Sequence, residues 1–166
     1  MSTFAFPVKN LLVRVQSACM FGESFGVNSC DCGEQLNLAF KIGSAESSFL
    51  LVYMLDQEGR GLGMFQKIKA IEAEAKHDVD MVEAFALLGL PLDLREYRGA
   101  AEIIHDVNGD APIRLLTNNP KKIAGLEEHG VKIGERLPFL VTPNAVCRRY
   151  LSAKKDKMGH ILPNVD

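Results

Sequence analysis

Along the 166-residue chain, short unbroken apolar runs alternate with longer stretches of helical period, the rhythm of strands and helices taken in turn. Residues 11–15, Leu-Leu-Val-Arg-Val, predict a strand that delivers the loop after it. Residues 33–44 place Leu36, Leu38, Ala39, Phe40 and Ile42 ahead of Gly43, a short helix with a glycine stop. The continuous apolar run at residues 49–55 predicts a central strand covered on both faces. A glycine-rich turn over residues 56–63 leads into a helical pattern over 64–76, and strand, turn and helix in that order place the turn at a ligand-binding sheet end. Further helices are predicted over 81–88, 100–107 and 119–129, a strand over 113–117, an extended stretch over 131–141 and a basic helix over about 144–158. No repeat or linker interrupts this alternation, so the expectation is one α/β domain over residues 1–166.

Composition narrows the setting. With 47% hydrophobic and 24% charged residues and a net charge of −2, nothing calls for nucleic acid or an anionic membrane as partner. Residues 1–10 are too short for a leader's apolar core and no run is long enough to span a bilayer, so the expected location is cytoplasmic. Clustered cysteines in that setting point to metal or catalysis rather than disulfides.

Three of the four cysteines, Cys19, Cys30 and Cys32, fall in one glycine-punctuated loop. A Cys-x-Cys pair with a third cysteine upstream suits zinc, and three ligands leave a corner for water, as in a catalytic site. Two other readings stand beside it: plain reduced thiols, or a closed site completed by Cys147. Asn119-Pro120 is a helix start, and Thr117 before it with Lys121 and Lys122 inside it has the chemistry of a phosphate site. Asp93 and Arg95 read either as a solvated ion pair or as a general base beside a phosphate fork, outside the core in both cases. His77, His105, His129 and His160 lack metal spacing and are expected at surfaces or helix ends.

Taken together, Arg14-Val-Gln-Ser-Ala-Cys19, Cys30-Asp-Cys-Gly-Glu-Gln-Leu36, Gln57-Glu-Gly-Arg-Gly-Leu-Gly63, Asp80-Met-Val-Glu-Ala84, Leu88-Gly89 with Asp93 and Arg95, and Arg114-Leu-Leu-Thr-Asn-Asn-Pro-Lys-Lys122 resemble the motifs of GTP cyclohydrolase II in order and spacing. The resemblance implies an α+β fold with a mixed β-sheet flanked by helices, and a homodimer. It implies an enzyme that opens the imidazole ring of GTP, releasing formate and pyrophosphate on the way to riboflavin. By position, Cys19, Cys30 and Cys32 would hold zinc. Arg14, Arg60, Thr117 and Lys122 would hold phosphates, with Mg²⁺ assisting. Gln35, Glu58 and Gly59 would line the nucleotide pocket, Asp93 would accept a proton, and Arg95 stands at the family's proposed nucleophile. A guanidinium with a pKa above about 12 is a poor nucleophile, so a clamp on the transferring phosphate is the safer role.

Six positions depart from the family pattern. Gln16 and Ala18 replace His and Glu, Ser29 an arginine, Ile71 a tyrosine, Met81 a threonine and Phe85 an asparagine. Ala18, Ile71, Met81 and Phe85 predict a less polar pocket with weaker guanine discrimination. Three readings follow: a cyclohydrolase of this type with the same or an altered substrate or product; a diverged paralogue acting on another nucleobase or cyclic amide; or a non-catalytic nucleotide-binding module braced by structural zinc.

Overall fold

The computed structural model describes residues 7–163 and Val165, so the first six residues of the short N-terminal stretch read above lie outside it. The backbone gathers into two compact units, each assembled from separated pieces of chain. One comprises the stretch ending at Gln16, Gln35–Met54 and Glu96–Leu140; the other comprises Ser17–Glu34, Leu55–Arg95 and the stretch from Val141 onward.

The first unit is built on a four-stranded sheet of order β2-β1-β3-β4, made of β1 (Leu12–Ser17), β2 (Phe49–Met54), β3 (Ile113–Leu116) and β4 (Ile133–Leu137). The β1–β3 pair, with Leu12 opposite Arg114, and the β3–β4 pair, with Leu116 opposite Leu137, are both parallel. Side-chain alternation along β1 sorts the core into two layers. Leu11, Val13 and Val15 join Ile113 and Leu115 under Tyr97, Ala100, Ala101, Ile104 and Leu126, residues at or in α5 (Arg98–Asn108) and α6 (Pro120–Glu128). Leu12 and Leu116 face the other way, onto Phe139 and onto Ala39 of α2 (Cys32–Gly43).

Residues 49–54 of the apolar run form β2, with one correction: among the described residues it is an edge strand of the sheet, not a central one. Leu50, Val52 and Met54 pack into one layer and Phe49 and Leu51 into the other. Cover on both faces, rather than a neighbour on both edges, makes the run continuous. Asn119 caps α6 as expected, accepting from the Lys121 amide at 3.0 Å.

The second unit is helical. α3 (Gly63–His77), α4 (Met81–Leu87) and α7 (Arg148–Met158) meet through Ala70, Ala73, Met81, Ala84, Phe85, Ala153 and Met158, where alanines let the helices approach closely. Asp80 and Glu83 form a reciprocal capping box at the start of α4. A single turn unexpected from the sequence, α1 (Met20–Glu23), follows Cys19 directly.

Candidate metal centre

The cysteine loop folds so that its three sulfurs converge. Cys19 precedes α1, Cys30 lies in the bend before α2, and Cys32 is the first residue of α2. Their Sγ atoms all lie within 4.8 Å of one another, and among the described residues no fourth Cys, His, Asp or Glu joins the group. Two sulfurs held at about 2.3 Å by a tetrahedral ion would be ~3.8 Å apart. Cys19 Sγ and Cys30 Sγ are 3.7 Å apart, so the donor set and its spacing fit zinc. Cys147 does not close the site: its buried thiol donates to the Asn144 carbonyl at 3.5 Å.

Two glycines make the convergence sterically possible. A β-carbon on Gly33 would sit 2.3 Å from the Gly22 carbonyl oxygen, and one on Gly22 would sit 2.9 Å from Cys30 Sγ. Charge is shared unevenly in the cluster. Hydrogen bonds from Cys30 and Cys32, with Lys67 nearby, pull the Cys19 thiol well below its ordinary pKa. Cys30 and Cys32 are pushed up, chiefly by serving as donors to Cys19 and by burial.

The glycine turn supports the loop from a separate stretch of chain. Gly59, Arg60 and Gly61 take φ of 58°, 60° and 82°, three successive residues in the left-handed region, where Arg60 is the strained one. Glu58 is thereby placed to accept from the Met20 amide at 2.6 Å through Oε2 and from Lys67 Nζ at 2.6 Å through Oε1. Lys67 Nζ also donates to Cys19 Sγ at 3.2 Å. Sequence reasoning passed over Lys67. The available signal was a lysine three residues before Ala70 on the inward stripe of α3, where charge needs a partner.

The same turn aligns the segment that bears Asp93 and Arg95. The Arg60 carbonyl accepts from the Leu94 amide at 3.0 Å, and Gly61 is close enough that a β-carbon would meet the Leu94 carbonyl carbon at 3.1 Å. Arg95 Nη1 reaches Ser17 Oγ at 3.5 Å, and Ser17 donates to Gln57 Oε1 at 2.6 Å. Arg60 lies over the Phe85 ring at 5.1 Å and gives Nη1 to the Leu92 carbonyl at 3.4 Å. Its Nη2 is buried with no hydrogen-bond partner, and burial lowers its pKa.

The other named residues belong to the sheet unit. Arg14 is buried, donates to Gln16 Oε1, to Gln35 Oε1 at 2.7 Å and to the Leu116 carbonyl at 3.1 Å, and lies 4.1 Å over the Phe139 ring. Thr117 Oγ1 accepts from the Asn119 amide at 3.1 Å, and buried Lys122 donates to the Val15 carbonyl at 2.6 Å. Gln16 is thus one of the residues that orient Arg14.

Met81 and Phe85 are buried in the α3–α4–α7 core, whereas Ile71 is 44% exposed on α3. Met81 and Phe85 therefore have a packing reason for being apolar.

A parallel α/β unit and a three-cysteine cluster braced by a glycine turn define an α/β protein with a metal-type cysteine centre. The GTP cyclohydrolase II family matches residues 2–138, and the chain belongs to that family. Relatives include proteins named riboflavin biosynthesis protein RibBA. The one from Phocaeicola vulgatus is 47% identical over 152 residues, 92% of this chain and 37% of that relative. The Chlorobium phaeovibrioides relative is 46% identical (92% and 36%), and the Aquifex aeolicus relative is 45% identical (91% and 37%). The chain thus spans little more than a third of the length of these relatives.

Proposed function

We propose that this chain is a zinc-dependent cyclohydrolase that opens the imidazole ring of GTP or a closely related nucleotide and releases formate and pyrophosphate. The observation that carries the reading is the group of three sulfurs within 4.8 Å of one another with no fourth ligand among the described residues. Zinc held by Cys19, Cys30 and Cys32 would supply a Lewis acid and an activated water near neutral pH.

The chain's own residues supply the rest. Asp93 is kept ionised, as a proton acceptor must be: burial alone would raise its pKa, but the Arg95 fork outweighs this and holds it below the usual carboxylate range. Arg95, always charged, serves as a clamp on phosphate rather than a nucleophile. Arg60 offers a buried, unpartnered N–H to an anionic group. Glu58 and Gln35 are assigned to the nucleotide, and Arg14, Thr117 and Lys122 to its phosphates with Mg²⁺. The enzyme acts as a cytoplasmic homodimer in riboflavin formation, with no nucleic-acid or membrane partner.

The test is purified chain with measured zinc content incubated with GTP, with formate and pyrophosphate followed separately. One zinc per chain and both products are expected, and Cys32→Ser should lose both. Stoichiometric zinc with neither product would overturn the reading in favour of a structural brace.

A further inference from the structure

The residue between the two ligands of the Cys-x-Cys pair is itself unusual in its surroundings. Asp31 is 3% exposed, and aspartate is rarely that buried without a partner. Its partner comes from 123 positions further on: Lys154 of α7 places Nζ 3.2 Å from Asp31 Oδ1 and 4.2 Å from the centroid of the Tyr150 ring. The stretch leading into α7 is tied to the loop as well: Asn144, which accepts from the Cys147 amide at 2.9 Å, donates from Nδ2 to the Asn28 carbonyl at 3.3 Å. The two ties bracket Cys30. The chain between them is turn and bend, without strand or helix of its own.

We propose that the Asp31–Lys154 pair is a positioning device for the metal centre, through which α7 fixes the Cys30–Cys32 turn at the spacing its sulfurs need to meet Cys19. The inference rests on the zinc reading of the three cysteines. Asp31 lies within the residues that the family match covers, whereas α7 lies beyond residue 138. Charge agrees with geometry. Three thiolates around a dication carry a net negative charge, and Asp31 adds another beside it; a cation at this point offsets both. Burial would lower the pKa of Lys154, yet Asp31, Tyr150 and Cys32 around it raise it, so the ammonium is retained. A partner beyond the ligands that fixes their orientation commonly changes metal affinity or activity by about 10–100-fold when removed.

Lys157 provides the control. It lies on the same helix but pairs with Asp80 and Glu83 at α4, so losing it loosens the docking of α7 without touching the cysteine turn. The experiment measures zinc affinity by competition with a chromophoric chelator, with thermal melting alongside, for the full chain and for Lys154→Met, Asp31→Asn, the double variant and Lys157→Met. Each single variant removes one side of a buried charge pair and can fail to fold; the double variant removes both sides together.

The expected result is zinc binding about 10-fold weaker or more in each single variant. The double variant should also bind about 10-fold more weakly, by less than the summed losses of the singles. Lys157→Met should melt earlier and bind zinc as the wild type does. Wild-type affinity in the double variant would overturn the proposal, since the pair would then serve only to neutralise itself. Equal weakening by Lys157→Met would also overturn it, since general docking of the helix would explain the effect. A wild-type chain holding no zinc would refute the metal reading and the pair's role with it; a zinc-loaded wild type with unaffected variants would refute the pair's role alone.

Discussion

Arg95 holds Asp93 by both carboxylate oxygens, Nε to Oδ1 at 2.8 Å and Nη2 to Oδ2 at 2.7 Å, with the side chains 12% and 7% exposed respectively. The pair is therefore not the solvated one that a surface reading suggests. A bidentate fork in a mostly buried site is among the stronger charge-assisted contacts. It also orients Arg95 so that Nη1 points at Ser17.

Asp93→Asn should lower stability at neutral pH by about 3 kcal/mol, because it removes the carboxylate charge held against a mostly buried guanidinium. The pH dependence follows from the depressed pKa of Asp93. Its contribution is fully present above the unfolded aspartate value of about 3.9 and is lost as pH falls through the lower folded value. Urea unfolding of both proteins between pH 7 and pH 3 should show their midpoints converging on acidification. A constant gap would count against the pair as the cause.

Gly33→Ala should disrupt the cysteine loop more than its small volume suggests. The added β-carbon would lie 2.3 Å from the Gly22 carbonyl oxygen, which is backbone and cannot rotate away. The expected outcome is loss of bound zinc together with about 2 kcal/mol or more of stability, in the range for overpacking. Metal content and a thermal melt check both. Gly26→Ala in the same loop has no atom within 4 Å of its added β-carbon but sits at φ 65°, so it should cost only backbone strain and keep the zinc.

Phe85→Asn separates a core position from a nucleobase contact. Phe85 is 4% exposed among Ala70, Ala73, Met81 and Ala84, and Arg60 lies over its ring. The substitution should therefore destabilise the helical unit by roughly 3 kcal/mol, in the range of buried aromatic truncations. It should leave discrimination between GTP and other nucleoside triphosphates unchanged. Improved selectivity for GTP at unchanged melting temperature would restore the pocket reading.

The extent to which the chain could be read in advance follows from the range of each signal. Local patterns were sufficient for β1, α2, α3, α4, α5, α6 and the capped start at Asn119-Pro120, because period, cap and stop are written in consecutive residues. The cysteine spacing likewise forecast a cluster that the fold assembles. What stayed hidden was pairing over distance. The edge position of β2 depends on which strands it meets, and a two-faced apolar run is silent on that. Asp31 and Lys154 each look like ordinary surface charges until 123 residues of chain bring them together. One clue was present: Leu151, Lys154 and Met158 fall on one helical stripe, a charge placed in line with core positions.

Lys67 gives the most direct test of how the protein tunes its sulfur ligands. Its ammonium donates to Cys19 Sγ at 3.2 Å and to Glu58 Oε1 at 2.6 Å, while Glu58 Oε2 accepts from the Met20 amide. A hydrogen bond to a thiolate stabilises the sulfur lone pair and weakens it as a donor, which keeps a bound metal more electron-poor. Lys67→Met should therefore strengthen the Cys19 sulfur as a donor and lower turnover by about 10–100-fold while retaining metal. In cobalt-substituted protein the sulfur-to-metal charge-transfer band should move to lower energy, a readout that a loss of helix packing alone would not produce. Lys67→Arg, which keeps a charged donor, should recover part of the turnover and most of the band position. Glu58→Gln should give a smaller loss, because it frees the lysine without removing the bond to sulfur. A cobalt spectrum identical in wild type and Lys67→Met would show that the lysine acts on the loop's position and not on the ligand's chemistry.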